Sequence, residues 1–259
     1  MFAFFNKGVK ASMLAGVLVA VPTVANAATA MLKVNDYVGI SFWTISMAMV
    51  AATVFFLMEA GRLSGKWKTS MTVGALVTLI AAVHYFYMRD VWAAGQGSPT
   101  VYRYVDWLIT VPLQMVEFYF ILAAVTAVSA GIFWRLLLGS LVMLVAGYLG
   151  EAGLAPVWPA FIVGMAGWGY ILYEIFAGEA GRVSSEKAPA SVQSAFGTMR
   201  LIVTVGWAIY PLGYFLGYLA GAEPGSSDVM LNVVYNVADV INKIAFVGII
   251  WAAANAESK

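Results

Sequence analysis

Residues 229–254 read VMLNVVYNVADVINKIAFVGIIWAAA, an apolar run interrupted by two charges, Asp239 and Lys243. As a helix the run rises roughly 39 Å at 1.5 Å per residue, more than the ~30 Å of a bilayer hydrocarbon core. Lys243 stands mid-way along it, far from either interface. A lone charged amine at that depth costs several kcal/mol and calls for a partner. Asp239 lies four residues earlier, on the same helical face one turn away. Two readings fit: an ion pair that braces a bundle, or a lysine that condenses with an aldehyde to a Schiff base, with Asp239 as counterion.

The rest of the chain agrees with a membrane setting. Of 259 residues, 62% are apolar and 10% charged, against roughly 45–50% and 25% in a soluble domain. The mean hydropathy is +0.86. Disordered, nucleic-acid-binding and soluble-enzyme classes are excluded on this ground. The net charge of +1 implies no polyanionic partner, and the absence of cysteine excludes disulfides and thiolate sites. A single histidine leaves no multi-histidine metal centre, so no metal is expected.

The first residues read as a secretory leader. Lys7 and Lys10 precede the apolar stretch Met13 to Val24, and Ala25-Asn26-Ala27 has the form of a cleavage site. The expected division is a signal peptide over 1–27 and one membrane domain over 28–259, its new N-terminus outside. An uncleaved amphipathic leader is the alternative.

Seven apolar segments follow: Tyr37–Met58, Ser70–Met88, Val101–Ala123, Arg135–Leu149, Val157–Phe176, Val192–Leu219 and Val229–Ala254. They are continuously apolar rather than alternating, which predicts helices, not a barrel. The fourth is short. Breakers fall between segments, as at residues 95–99, 150–156, 178–189 and 221–227. The expected fold is all-α, a seven-transmembrane-helix bundle. One set of loops and ends holds Arg62, Lys66, Lys68, Arg135, Arg182, Lys187 and Lys259, whereas the other holds Lys33 and Arg89. The positive-inside rule makes the first set cytoplasmic, with the N-terminus outside and the C-terminus inside.

Ionisable groups inside the segments mark function. The third segment carries Arg103, Asp106 and Glu117. Arg103 and Asp106, three apart, can pair. Asp106 and Glu117 are separated by about 16 Å along the axis and share a face, which allows either hydrogen-bonded structural carboxyls or a proton route. His84 is expected near the depth of Asp106, as a satisfied core residue or a hydrogen-bond partner of that carboxylate. Trp107, Trp168, Trp207, Tyr210 and Tyr235 fall near the depth of Lys243, and Pro211 interrupts the sixth helix. They read as core or as a cofactor wall. Glu151, Glu174, Glu179 and Arg200 read as interfacial charges within snorkelling reach.

Arg103-Tyr-Val-Asp106-Trp-Leu-Ile-Thr110-Val-Pro-Leu together with Asp239-Val-Ile-Asn-Lys243 resembles the microbial rhodopsins, and among them the marine proteorhodopsins. Ser41-Phe42-Trp43, Lys66-Trp-Lys-Thr-Ser70, His84-Tyr-Phe-Tyr-Met-Arg89, Gly147-Tyr-Leu-Gly-Glu-Ala-Gly153 and Gly206-Trp-Ala-Ile-Tyr-Pro211 extend the likeness across nearly the whole mature chain. The resemblance implies a light-driven outward proton pump, a transporter and not an enzyme, in a bacterial inner membrane. It implies all-trans retinal as cofactor, bound to Lys243 as a Schiff base. It further implies Asp106 as proton acceptor and counterion, Asp239 as second counterion, Arg103 as their organiser, Glu117 as proton donor and His84 as partner of the acceptor. Trp107, Thr110, Trp207, Tyr210 and Pro211 match the retinal cage. Gln114 occupies the family's spectral-tuning position, where glutamine accompanies blue absorption and leucine green. Relatives form rings of five or six copies, to which Trp43 could contribute. Two other readings stay open: a photosensor that signals through a membrane partner, disfavoured by Glu117, and a seven-helix transporter without chromophore.

Overall fold

The computed structural model describes residues 32–95, 97–220 and 228–258. The leader expected at 1–27 and the breaker at 221–227 lie outside the described residues. The helices are α1 (Tyr37–Ala60), α2 (Gly65–Ala93), α3 (Thr100–Val125), α4 (Ala130–Glu151), α5 (Val157–Phe176), α6 (Glu179–Lys187), α7 (Ala190–Leu201), α8 (Ile209–Tyr214), α9 (Asp228–Val240) and α10 (Phe246–Glu257). Three π-helical stretches, Ile202–Gly206, Phe215–Leu219 and Ile241–Ala245, link the last of these. The described residues contain seven spans, the sixth being Ala190–Leu219 and the seventh Val229–Glu257, and no strand.

Sequence features set the span ends. Asp36 caps α1: its Oδ1 accepts from the Gly39 N–H at 2.8 Å and from Trp92 Nε1 at 3.0 Å, which also ties the start of α1 to the end of α2. Ser129 caps α4 through the Gly131 N–H, 3.0 Å. The apolar run placed the fourth segment at Arg135–Leu149, but the helix occupies Ala130–Glu151. The reason is that Arg135 is neutralised within the bundle. Its Nε donates to Glu174 Oε2 at 2.9 Å, and its Nη2 to Glu174 Oε1 at 3.0 Å and Glu179 Oε2 at 2.6 Å. A paired charge need not end a span. Glu174, expected at the interface, is instead buried in this cluster.

Successive spans are neighbours, and the seventh closes the ring by packing α9 on α1 and α10 on α2 and α7. The third span is 61% buried over its core window, the second and seventh 50% each, and the sixth 22%. The third span is therefore the central one, and it carries Arg103, Asp106 and Glu117. The outer surface is apolar, with Leu138, Ile162, Leu201, Val205 and Leu216 exposed, while Arg103, Asp106, Glu117, Asp239 and Lys243 are buried. Lipid rewards apolar groups outside; polar groups find partners only within.

The sixth span departs from a regular helix for a covalent reason. Pro211 has no N–H, and the Trp207 carbonyl four residues before it is taken by the Tyr210 N–H at 3.1 Å. The Trp207 N–H in turn bonds the Ile202 carbonyl at 3.0 Å, a π-type turn, and the Val203 carbonyl accepts from Trp168 Nε1 on α5 at 3.0 Å. Neighbouring spans thus complete the hydrogen bonding that the backbone gives up.

Candidate functional site

Lys243 lies in the π-helical stretch Ile241–Ala245, 2% exposed. Its Nζ donates to Asp106 Oδ2 on α3 at 2.6 Å and to Asp239 Oδ2 on α9 at 2.9 Å. The i,i+4 pairing expected from the sequence is present, and the fold adds a second carboxylate 137 residues away in the chain. The two acids are not equivalent. Asp239 accepts from the Tyr85 hydroxyl at Oδ2, 2.8 Å, and from the Tyr210 hydroxyl at Oδ1, 2.6 Å. Asp106 Oδ1 has no hydrogen-bond partner among the described residues. Both oxygens of Asp239 are therefore engaged, whereas Asp106 keeps one unbonded oxygen. Thr110 bonds the Asp106 backbone carbonyl at 2.9 Å and holds this turn of α3.

Two contacts that the sequence allowed are not made. Arg103 does not pair with Asp106. Its Nη2 donates to Asn232 Oδ1 at 2.8 Å and Asn236 Oδ1 at 3.1 Å on α9, and its guanidinium lies 5.4–5.9 Å from the ring centroids of Tyr235, Phe42 and Trp107. The i,i+3 spacing permits a pair, but the guanidinium is turned to the two amides and the aromatic rings, and its Nε and Nη1 have no hydrogen-bond partner among the described residues. The formal charges of the buried quartet Lys243, Arg103, Asp106 and Asp239 still sum to zero. His84 is likewise not hydrogen-bonded to Asp106. Its Nδ1 donates to the Ile80 carbonyl at 2.9 Å, one turn back on its own helix, and stands 4.0 Å from Asp106 Oδ1, beyond hydrogen-bond reach.

Glu117 is fully buried on α3, toward the Lys/Arg-rich end. The Ser70 hydroxyl on α2 donates to its Oε2, and Oε1 has no hydrogen-bond partner among the described residues. The nearest equivalent on the opposite side is Glu151, which accepts from the Tyr104 hydroxyl at 2.8 Å and borders the cavity described next, rather than being a bare interfacial charge.

Beside Lys243 is a cavity walled mainly by apolar and aromatic side chains, the usual character of a small-molecule site. Trp107, Val111, Gln114, Trp168, Trp207, Tyr210, Pro211 and Tyr235 line it, and Lys243 and Asp239 border it. The aromatic residues singled out in the sequence therefore converge on one space. Such a wall suits a long apolar molecule, and the one buried amine at its border suits an aldehyde terminus. Gln114 donates from Nε2 to the Asn242 carbonyl at 2.8 Å, so its amide dipole is held against the turn that carries Lys243. Gln114→Leu removes that dipole. If Gln114 tunes a bound chromophore, as the sequence resemblance implies, the absorption band is expected to move to the red, measured by visible spectroscopy of the purified protein; an unmoved band would refute that role.

Sequence reasoning did not single out Tyr85, Asn232, Asn236, Asn242 or Ser70. Each is a polar residue in an apolar span, a signal open to reading, but none carries a charge, and their partners lie on distant spans.

Fold and site together define a multi-span membrane protein whose centre is a buried lysine held between two carboxylates. The chain belongs to the family described as bacteriorhodopsin-like protein, which matches residues 36–257. It is 55% identical over 249 residues to the blue-light absorbing proteorhodopsin of Gamma-proteobacterium Hot 75m4, covering 96% of this chain and 98% of that one. It is 53% identical, with the same coverage, to the green-light absorbing proteorhodopsin of Gamma-proteobacterium EBAC31A08. Among solved structures, xanthorhodopsin, described as a light-driven ion pump with dual chromophore, superposes with a TM-score of 0.76 at 27% identity, over 88% of this chain and 96% of that one.

Proposed function

We propose that the protein is a light-driven outward proton pump that absorbs blue light, with all-trans retinal bound at Lys243. The observation that carries this reading is the Lys243 Nζ held 2.6 Å from Asp106, whose second oxygen is unengaged, at the border of an apolar aromatic cavity. Identity does not separate the blue and green relatives, since 55% and 53% are close; Gln114 supports blue. Retinal, when bound, supplies light absorption and an isomerisation that changes the surroundings of its attachment point.

The residues of the chain supply the rest. Trp107, Trp207, Tyr210 and Pro211 would hold the polyene in one orientation and keep water from it. Asp106 Oδ2 stands in line to receive the proton from Lys243 Nζ. Asp239, held by Tyr85 and Tyr210, stays charged and keeps Nζ oriented. Glu117 returns a proton to Nζ from the Lys/Arg-rich side, and Arg103 keeps the opposite side positive without quenching Asp106. The positive-inside rule makes the Lys/Arg-rich face cytoplasmic, so net transfer is outward. His84, at 4.0 Å, acts on Asp106 through space and not through a hydrogen bond. Assembly into rings of five or six copies belongs to this reading, with Trp43, 39% exposed, on the outer surface.

The test is an unbuffered suspension of bacteria that express the chain and are supplied with all-trans retinal. Blue light is expected to acidify the medium, and a protonophore to abolish the change. A coloured suspension without acidification would shift the reading to a photosensor. Glu117→Gln should leave the first proton release intact and slow recovery of the resting pigment about a hundredfold, the lower end of what a positioned acid contributes. Time-resolved absorption checks this; an unaltered recovery would remove Glu117 as donor.

A further inference from the structure

The sixth and seventh spans meet where both leave the α-helical ladder, at Ile202–Gly206 and Ile241–Ala245. Turns of this kind recur at functional positions. Asn242, next in chain to Lys243 and 2% exposed, bridges the two. Its Nδ2 donates to the Gly206 carbonyl at 3.1 Å and to the Tyr210 hydroxyl at 3.2 Å. Its own carbonyl accepts from Gln114 at 2.8 Å. One residue thus joins the third, sixth and seventh spans.

The sequence explains why this place exists. The Tyr210 N–H turns to Trp207 because Pro211 cannot donate, and the Gly206 carbonyl accepts instead from the Asn242 amide. The approach also needs a glycine, since a Cβ at position 206 would collide with Asn242 Oδ1. That oxygen has no hydrogen-bond partner among the described residues, so the amide is held by its donor side. The contacts close on themselves: Asn242 bonds Tyr210, Tyr210 donates to Asp239, Asp239 accepts from Lys243, and Lys243 follows Asn242 in the chain.

We propose that Asn242 is a positioning residue that couples the sixth span to Lys243, so that displacement of the lysine during turnover is carried through its amide to Gly206 and Tyr210. The inference rests on the light-driven reading above, because turnover is what the coupling times. On this proposal the two π-helical turns are the two-state element that such coupling needs.

The test compares Asn242→Leu, which keeps the volume but removes the donors, with Gly206→Ala, which displaces the amide and leaves Asn242 in place. Asn242→Ala serves as the smaller alternative. Each is purified with all-trans retinal in lipid and followed by visible absorption, thermal bleaching and flash photolysis. The expected result is a coloured protein whose photocycle recovery changes three- to tenfold, about what one or two hydrogen bonds supply. The double variant Gly206→Ala/Asn242→Leu should change no further than either single, since both act on one contact. Wild-type recovery in the singles, or effects that multiply in the double, would overturn the coupling while the pump reading stands. A wild-type chain that stays colourless with retinal would overturn both.

Discussion

Lys243→Ala produces a colourless protein when the chain is expressed with all-trans retinal. The visible band needs the covalent link, and the amine at Lys243 is the one placed between Asp106 and Asp239 at the cavity border. The variant also loses a buried charge. Two carboxylates then lose the cation bonded to both, and breaking a buried pair costs about 3–5 kcal/mol, so lost colour by itself could reflect lost folding. Lys243→Arg separates the two effects. The guanidinium stays charged and keeps the carboxylates matched, yet is no nucleophile toward an aldehyde. It should remain folded by circular dichroism and thermal melting, and colourless. A visible band in either variant would place the attachment elsewhere.

Asp106→Asn stops light-driven acidification, a loss of at least about a hundredfold, and moves the absorption band to the red. The sign follows from charge. A carboxylate 2.6 Å from Nζ stabilises a positive charge localised there in the ground state. Neutralising it lowers the energy of the excited state, in which the charge spreads along the polyene, relative to the ground state. Acid does the same to the wild type by protonating Asp106, so its band should shift red as pH falls. In the variant that titration should vanish. If Asp106→Asn keeps the wild-type acid shift, the titrating counterion is another group, with Asp239 next in line. The structure argues for Asp106 because Tyr85 and Tyr210 already occupy both oxygens of Asp239.

Much of the site was legible because charges in membrane spans are costly and hence conspicuous. Lys243, Asp239, Asp106 and Glu117 could be found by position alone, and the aromatic set by its depth. Contacts of the same groups were less legible. Helical spacing allowed Arg103 to reach Asp106, and depth allowed His84 to do so. The fold offered Arg103 two asparagines and three aromatic rings, and His84 the carbonyl of Ile80. The length of the fourth span was misread for the same reason. Arg135 looked like an end, and its partners Glu174 and Glu179 come from elements that a local window cannot see.

The sequence by itself determined seven helical spans, because backbone hydrogen bonding in lipid leaves only helices or a closed barrel, and continuously apolar segments exclude the barrel. It also determined that one lysine and one aspartate share a face of the seventh, a consequence of 3.6 residues per turn. Tertiary structure alone decided which acid completes the lysine's pair, which acid keeps an unbonded oxygen, and that Asn242 joins three spans. Those outcomes depend on residues 29 to 154 positions apart, such as Tyr85 and Asp239. Only the packing of the bundle brings them within the ~3 Å over which a hydrogen bond acts.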